Sequence, residues 1–137
     1  MSKGQDMTAS EKPSIRFGRI APTLAVGDMQ AALDFYIGLL GFDIRFENGD
    51  PVGFVILGRD DAELHLTLQR GFKPARHNVA HLLVEGVEAL HETLREHGCR
   101  IVKGMRDQDY GLRAFVFEDP FGNRIDVGEK MSGMKSG

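Results

Sequence analysis

The sequence predicts an α+β fold: two βαβββ modules related by a pseudo-twofold, forming curved half-sheets around a concave cup with the helices outside. Three observations carry this. In each half of the chain, apolar residues recur with a period of two, then of about 3.6, then of two again, the signatures of strand, helix and strand. Residues that favour turns separate those segments. The two halves also repeat in register, since 57 residues separate Leu33 from Leu90, Gly41 from Gly98 and Ile44 from Ile101. A shared offset across helix, helix stop and strand marks an internal repeat.

The elements follow in order. "IAPTLAV" (20–26) reads as a strand, and Asp28 caps a helix whose apolar positions Ala32, Leu33, Tyr36, Ile37 and Leu40 keep helical spacing up to Gly41. "FDIRF" (42–46), "VGFVILG" (52–58) and "AELHLTL" (62–68) are strands, parted by turns at 48–51 and 59–61. A polar connector, "RGFKPARH" (70–77), leads to the second round: strand 78–84, helix 87–97 with Gly98 as its stop, and strands 100–104, 112–117 and 123–128. No Ser, Thr, Asp or Asn stands at the start of this second helix, so its cap is weak. One domain over 15–130, with modules 16–69 and 78–129, is flanked by polar tails, 1–14 and 131–137, expected to be flexible.

Composition narrows the function. Hydrophobic residues at 42% and charged residues at 27% suit a globular domain with a real core. A net charge of −3 without a Lys/Arg cluster lacks the footprint of a nucleic-acid binder. The lone Cys99, the polar N-terminal residues and the lack of a long apolar run point to a cytoplasmic protein without a membrane role. No glycine-rich phosphate loop appears, and Cys99 has no base close in sequence, so nucleophilic catalysis is not expected. The acid pairs Asp60-Asp61 and Glu118-Asp119 fall at predicted turns and read as solvated carboxylates.

Other polar residues invite a site. His65 alternates with Leu64, Leu66 and Leu68 and so faces the cup, as a hydrogen-bonded side chain or as a ligand. Tyr110, with Phe46, Phe54 and Phe72 as further wall residues, offers rings for stacking on flat heteroaromatic groups. Arg113 suits bracing a carboxylate or contacting a ligand oxygen. His91 and His97 belong to the second helix, on its solvent side or near its C-terminus, and His77 is a solvated connector residue.

The paired layout, with "VGDMQAALDFYIGLLGF" (26–42) early and "FEDPFGNRIDV" (117–127) late, resembles the vicinal oxygen chelate superfamily over residues 16–129. That family includes glyoxalase I, extradiol dioxygenases, fosfomycin-resistance proteins and bleomycin-resistance proteins. Its enzymes hold a divalent metal on four inward strand positions, which the resemblance carries to Ala21, His65, Val79 and Asp126. Two of the four are ligand types, and His81 shares the face of Val79. A metal reading, a lyase, isomerase or dioxygenase using Ni, Zn, Fe or Mn, would rest on His65 and Asp126 with His81 as a third ligand.

The bleomycin-resistance branch is the nearer resemblance. Its first strand is similar to "IAPTLAV", and its aromatic-Gly-x-Arg-x-Phe segment before the Asp-Pro-x-Gly-Asn turn is similar to "YGLRAF" (110–115) before "DPFGN" (119–123). It implies a homodimer that sequesters a bulky, planar, cationic drug or metabolite without converting it and without a cofactor. The expected ligand-binding residues are Tyr110, Gly111, Arg113, His65, Phe46 and Phe54. This chain has no Trp where that branch commonly carries one, so its ring platform is smaller.

Overall fold

The computed structural model describes residues 14–108 and 111–131. The expected flexible tails fall outside the described residues except for Ser14 and Met131, and Tyr110 lies outside them too. The first module runs β1 (Thr23–Val26), α1 (Met29–Leu33), a π-helical segment (Asp34–Leu39), β2 (Asp43–Gly49), β3 (Val52–Arg59) and β4 (Ala62–Leu68). The second runs β5 (Asn78–Leu83), α2 (Val87–Glu96), β6 (Ile101–Asp107), β7 (Leu112–Glu118) and β8 (Arg124–Lys130). The sheets have the orders β1-β4-β3-β2 and β5-β8-β7-β6, with the first strand of each module parallel to the fourth and the other pairings antiparallel. The α+β class and the two βαβββ modules are thus as the sequence predicts.

Local chemistry explains where the elements start and stop. Asp28 caps α1, its Oδ1 accepting from the Ala31 amide at 3.0 Å. The expected first strand begins three residues late, at Thr23, because Pro22 has no N–H to extend the ladder; its carbonyl alone bonds, accepting from the His65 amide. Helix α1 continues as a π-helical segment in which the consecutive residues Phe35 and Tyr36 are both buried in the core. At the start of α2, Gly86 sits at φ 100° and supplies no side chain. The cap comes from β8, where Glu129 Oε1 accepts from the amides of Gly86 and Val87, each at 3.0 Å.

Burial assigns the two faces of each sheet. Leu24, Val26, Val55, Leu57, Leu64 and Leu66 line the helix-bearing face of the first sheet; Phe115, Phe117, Ile125 and Val127 line that of the second. Together with Phe35, Tyr36 and Leu94 they form one cluster, in which the Phe35 ring packs 6.2 Å from that of Phe117. Each such side chain contributes about 1.5–3 kcal/mol on full burial. The helix-bearing faces of the two sheets therefore meet across a single core. Their other faces look outward and carry the half-buried and exposed residues of the strands.

A buried polar cluster joins the modules. Tyr36 donates its hydroxyl to Asp119 Oδ2 at 2.7 Å, and Asn123 donates Nδ2 to Asp119 Oδ2 and to the Ala25 carbonyl, both at 2.9 Å. Asp119 Oδ1 also accepts from the amides of Phe121 and Asn123. This corrects the expectation of solvated acids at 118–119. Asp119 is only 4% exposed and every oxygen is bonded, while Glu118 pairs with Arg124 at 3.2 Å and lies 3.8 Å from Arg100. Asp60 and Asp61 are exposed turn residues, as expected. His91 departs from its expected solvent side: its ring packs edge-on against Phe115, with centroids 4.9 Å apart. His97 ends α2, hydrogen-bonded to the Thr93 carbonyl, and His77 is exposed in the connector.

Candidate functional site

The outward face of the first sheet carries the strongest grouping of chemistry. Register sets it: β2, β3, β4 and β1 bring Phe46, Ile56, His65 and Thr23 into one row, with Phe54 beside Thr67 in the next. The rings form a chain across the strands. Phe46 meets Phe54 with centroids 6.4 Å apart, and Phe54 meets His65 at 5.5 Å, both edge-to-face. This arrangement stabilises aromatic pairs while leaving ring surface open, and Phe46 is 51% exposed.

Charged groups border the rings. His65 Nε2 and Glu63 Oε2 are 2.7 Å apart, residues two apart on one strand sharing one face. Arg19, just before β1, comes to 3.8 Å from the other Glu63 oxygen. The β-bulge in β2 carries Arg45 over Gly58, where an added Cβ would meet its guanidinium carbon at 2.5 Å. Gly58 thus keeps that end of the floor open for the guanidinium. The result is an aromatic floor with a carboxylate at one side and arginines at its margins.

The predicted site residues separate on the structure. Phe46, Phe54 and His65 come together on this face. Arg113 is elsewhere: it shares the helix-bearing side of the second sheet, donating Nη1 to Glu88 Oε2 at 2.7 Å and Nε to Asp107 Oδ1 at 2.9 Å. Of the two roles expected for it, bracing carboxylates is the one its contacts fill. Gly111, at φ 82°, is buried in the turn before β7, with its amide donating to Gln108 and its carbonyl accepting from Met131. Phe72 lies in the connector, outside the ring row. Sequence reasoning passed over Glu63, although its spacing of two from His65 on a strand was a usable signal.

The metal positions also divide. His65 lies on the first sheet, while His81 and Asp126 are cross-strand neighbours on the outward face of the second, Nδ1 to Oδ2 2.8 Å. Ala21 and Val79 supply no ligand atom. Among the described residues no three His, Cys, Asp or Glu side chains gather as a metal-binding group. Each histidine already holds a carboxylate of its own sheet, so these residues do not fit a resident metal within one chain.

The family described as "Glyoxalase/Bleomycin resistance protein/Dioxygenase superfamily" matches residues 16–127. A superfamily member from Sphaerobacter thermophilus is similar in structure, with TM-score 0.69 and 27% identity, over 85% of this chain and 98% of that one. A glyoxalase-family protein from Bacillus anthracis gives TM-score 0.73 at 19% identity, over 88% and 100% of the two chains. A bleomycin-binding protein complexed with bleomycin gives TM-score 0.70 at 22% identity, over 84% and 100%. At such identities the last two speak for the fold alone. Among curated proteins none is matched.

Proposed function

This chain belongs to the glyoxalase/bleomycin resistance protein/dioxygenase superfamily, and from that premise we propose that it is a small-molecule binding protein of the bleomycin-resistance type, sequestering a planar, cationic ligand without converting it. The observation that carries this reading is the row Phe46–Phe54–His65 on an outward sheet face beside Glu63. Stacking on such rings contributes about 0.5–1.5 kcal/mol per pair beyond area burial, and a cation over a ring face about 0.5–2 kcal/mol more. Glu63, beside His65 at 2.7 Å, is the carboxylate placed to attract positive charge to this face.

A single sheet face is one wall, and a ligand pocket needs two. In this reading the protein is a cytoplasmic homodimer in which the outward face of one chain's first sheet lies opposite the outward face of its partner's second sheet. A second reading, a metal-dependent lyase, isomerase or dioxygenase, is favoured by one observation. Each outward face carries one His–carboxylate pair, His65 with Glu63 and His81 with Asp126. It requires both pairs to meet.

Calorimetric titration with a bleomycin-type drug and with an uncharged planar analogue tests the first reading. Phe54→Ala should weaken binding of the cationic drug by about 2- to 13-fold, the factor that 0.5–1.5 kcal/mol implies. Tight stoichiometric uptake of Ni, Zn, Fe or Mn that disappears in His65→Ala would instead establish the second.

A further inference from the structure

The seam between the modules has two ends that the pseudo-twofold relates, and they are finished differently. His65 in β4 and Asp126 in β8 face Thr23 and His81 in the matching first strands. Three residues before each, Ala62 and Asn123 close the hairpins against Arg59 and Asp119. Arg59 thus matches Asp119, and Ala62 matches Asn123. Counted from the helix starts at Met29 and Val87, Thr93 matches Phe35 and Leu94 matches Tyr36. The joint built by Tyr36, Asp119 and Asn123 therefore has no counterpart: a guanidinium replaces the carboxylate, a methyl group the amide and leucine the phenol. At that end lies a cavity of about 800 Å³, lined by Leu39, Leu82, Leu90 and Thr93. Arg59, Asp60, Asp61, Glu85 and Lys130, all exposed, also line it and bring charge of both signs.

We propose that this cavity is a second binding site, for a zwitterionic aromatic molecule of the amino-acid type, with its ring among the leucines, its carboxylate on Arg59 and its ammonium on Asp61 and Glu85. The closed joint is the template. There Phe35 lies against Phe117 with centroids 6.2 Å apart, whereas Thr93 brings no ring to the matched place. Burying a ligand ring against leucine supplies the driving force. Arg59 Nη1 donates to the Leu40 carbonyl at 2.8 Å, which holds the guanidinium while its second Nη stays open to a carboxylate. Its Nε is 3.7 Å from Asp60 Oδ2, an exposed pair of little strength. Asp61, Glu85 and Lys130 form no ion pair among the described residues, so a ligand of one sign would leave charge of the other unmatched. None of Phe46, Phe54 and His65 lines this cavity, and the site does not depend on the ring row above.

Free tryptophan is the probe, because the chain contains none and indole emission, excited beyond the tyrosine absorption, reports the ligand alone. Titration with the protein should give a saturable blue shift at one tryptophan per chain. Tryptamine, which lacks the carboxylate, and indole-3-propionate, which lacks the ammonium, should each bind about tenfold more weakly or worse. Thr93→Phe, which puts a ring where the matched Phe35 has one, should abolish the shift. Ala89→Phe, at an exposed position of the lining, should do the same without touching the core. Phe54→Ala should leave the shift unchanged. No saturable shift at millimolar tryptophan, a shift that survives both ring substitutions, or a singly charged analogue that binds as tightly as tryptophan overturns the proposal. Loss of the shift in Phe54→Ala also overturns it, by placing tryptophan on the ring row.

Discussion

Gly122 shows how tightly one position can be specified. Its φ of 89° belongs to the left-handed region that side chains disfavour, and an added Cβ would lie 2.9 Å from Pro74 Cγ in the connector. Strain and close approach act together here, so Gly122→Ala should lower stability by about 1–3 kcal/mol, read from the urea midpoint. Gly58→Ala, which displaces only the mobile end of Arg45, makes a milder comparison. The glycine was legible in "DPFGN" as a turn residue. What the sequence could not reveal is that Pro74, 48 positions upstream, would be the atom group it has to clear.

Among elements, α2 illustrates a cap that sequence proximity cannot disclose. Absence of Ser, Thr, Asp or Asn before Val87 correctly indicated a helix without a local side-chain cap. Glu129 does the work from β8, bonding two amides that the first turn leaves without partners. Glu129→Ala should therefore cost about 0.5–2 kcal/mol, with amide exchange accelerating at the start of α2 before other parts of the chain. Periodicity made the strands and helices readable because it depends on neighbours two to four residues away. The π turn in the first helix escaped it, and the partners of its core residues Phe35 and Tyr36, which are Phe117 and Asp119, lie in the other module. The site was half legible for the same reason. Alternation put Phe54 and His65 on one outward face, but it could not separate them from Arg113, whose face depends on where α2 packs.

At the scale of the whole molecule, the joint between modules confers a response to alkali. Burial, and after it the charge and hydrogen bond of Asp119, push the Tyr36 hydroxyl well above its ordinary 10.0. Above pH 10 the unfolded chain sheds this proton while the folded chain keeps it, so stability present below that value falls as pH rises toward the folded one. Melting temperature measured from pH 9 upward should decline, and the decline should be shallower in Tyr36→Phe. An equal slope in both would assign the loss to other groups.

The same joint has a consequence for how the chain is made. Tyr36 waits for a residue 83 positions later, and the Ala25 carbonyl for one 98 positions later. Synthesis from the N-terminus thus delivers a complete first module whose inner polar groups have no mates until the final turn emerges. Contacts of such long sequence separation slow folding, because loop closure costs entropy before they form. A nascent chain that ends before Asp119 therefore leaves the Tyr36 hydroxyl and the Ala25 carbonyl without these partners.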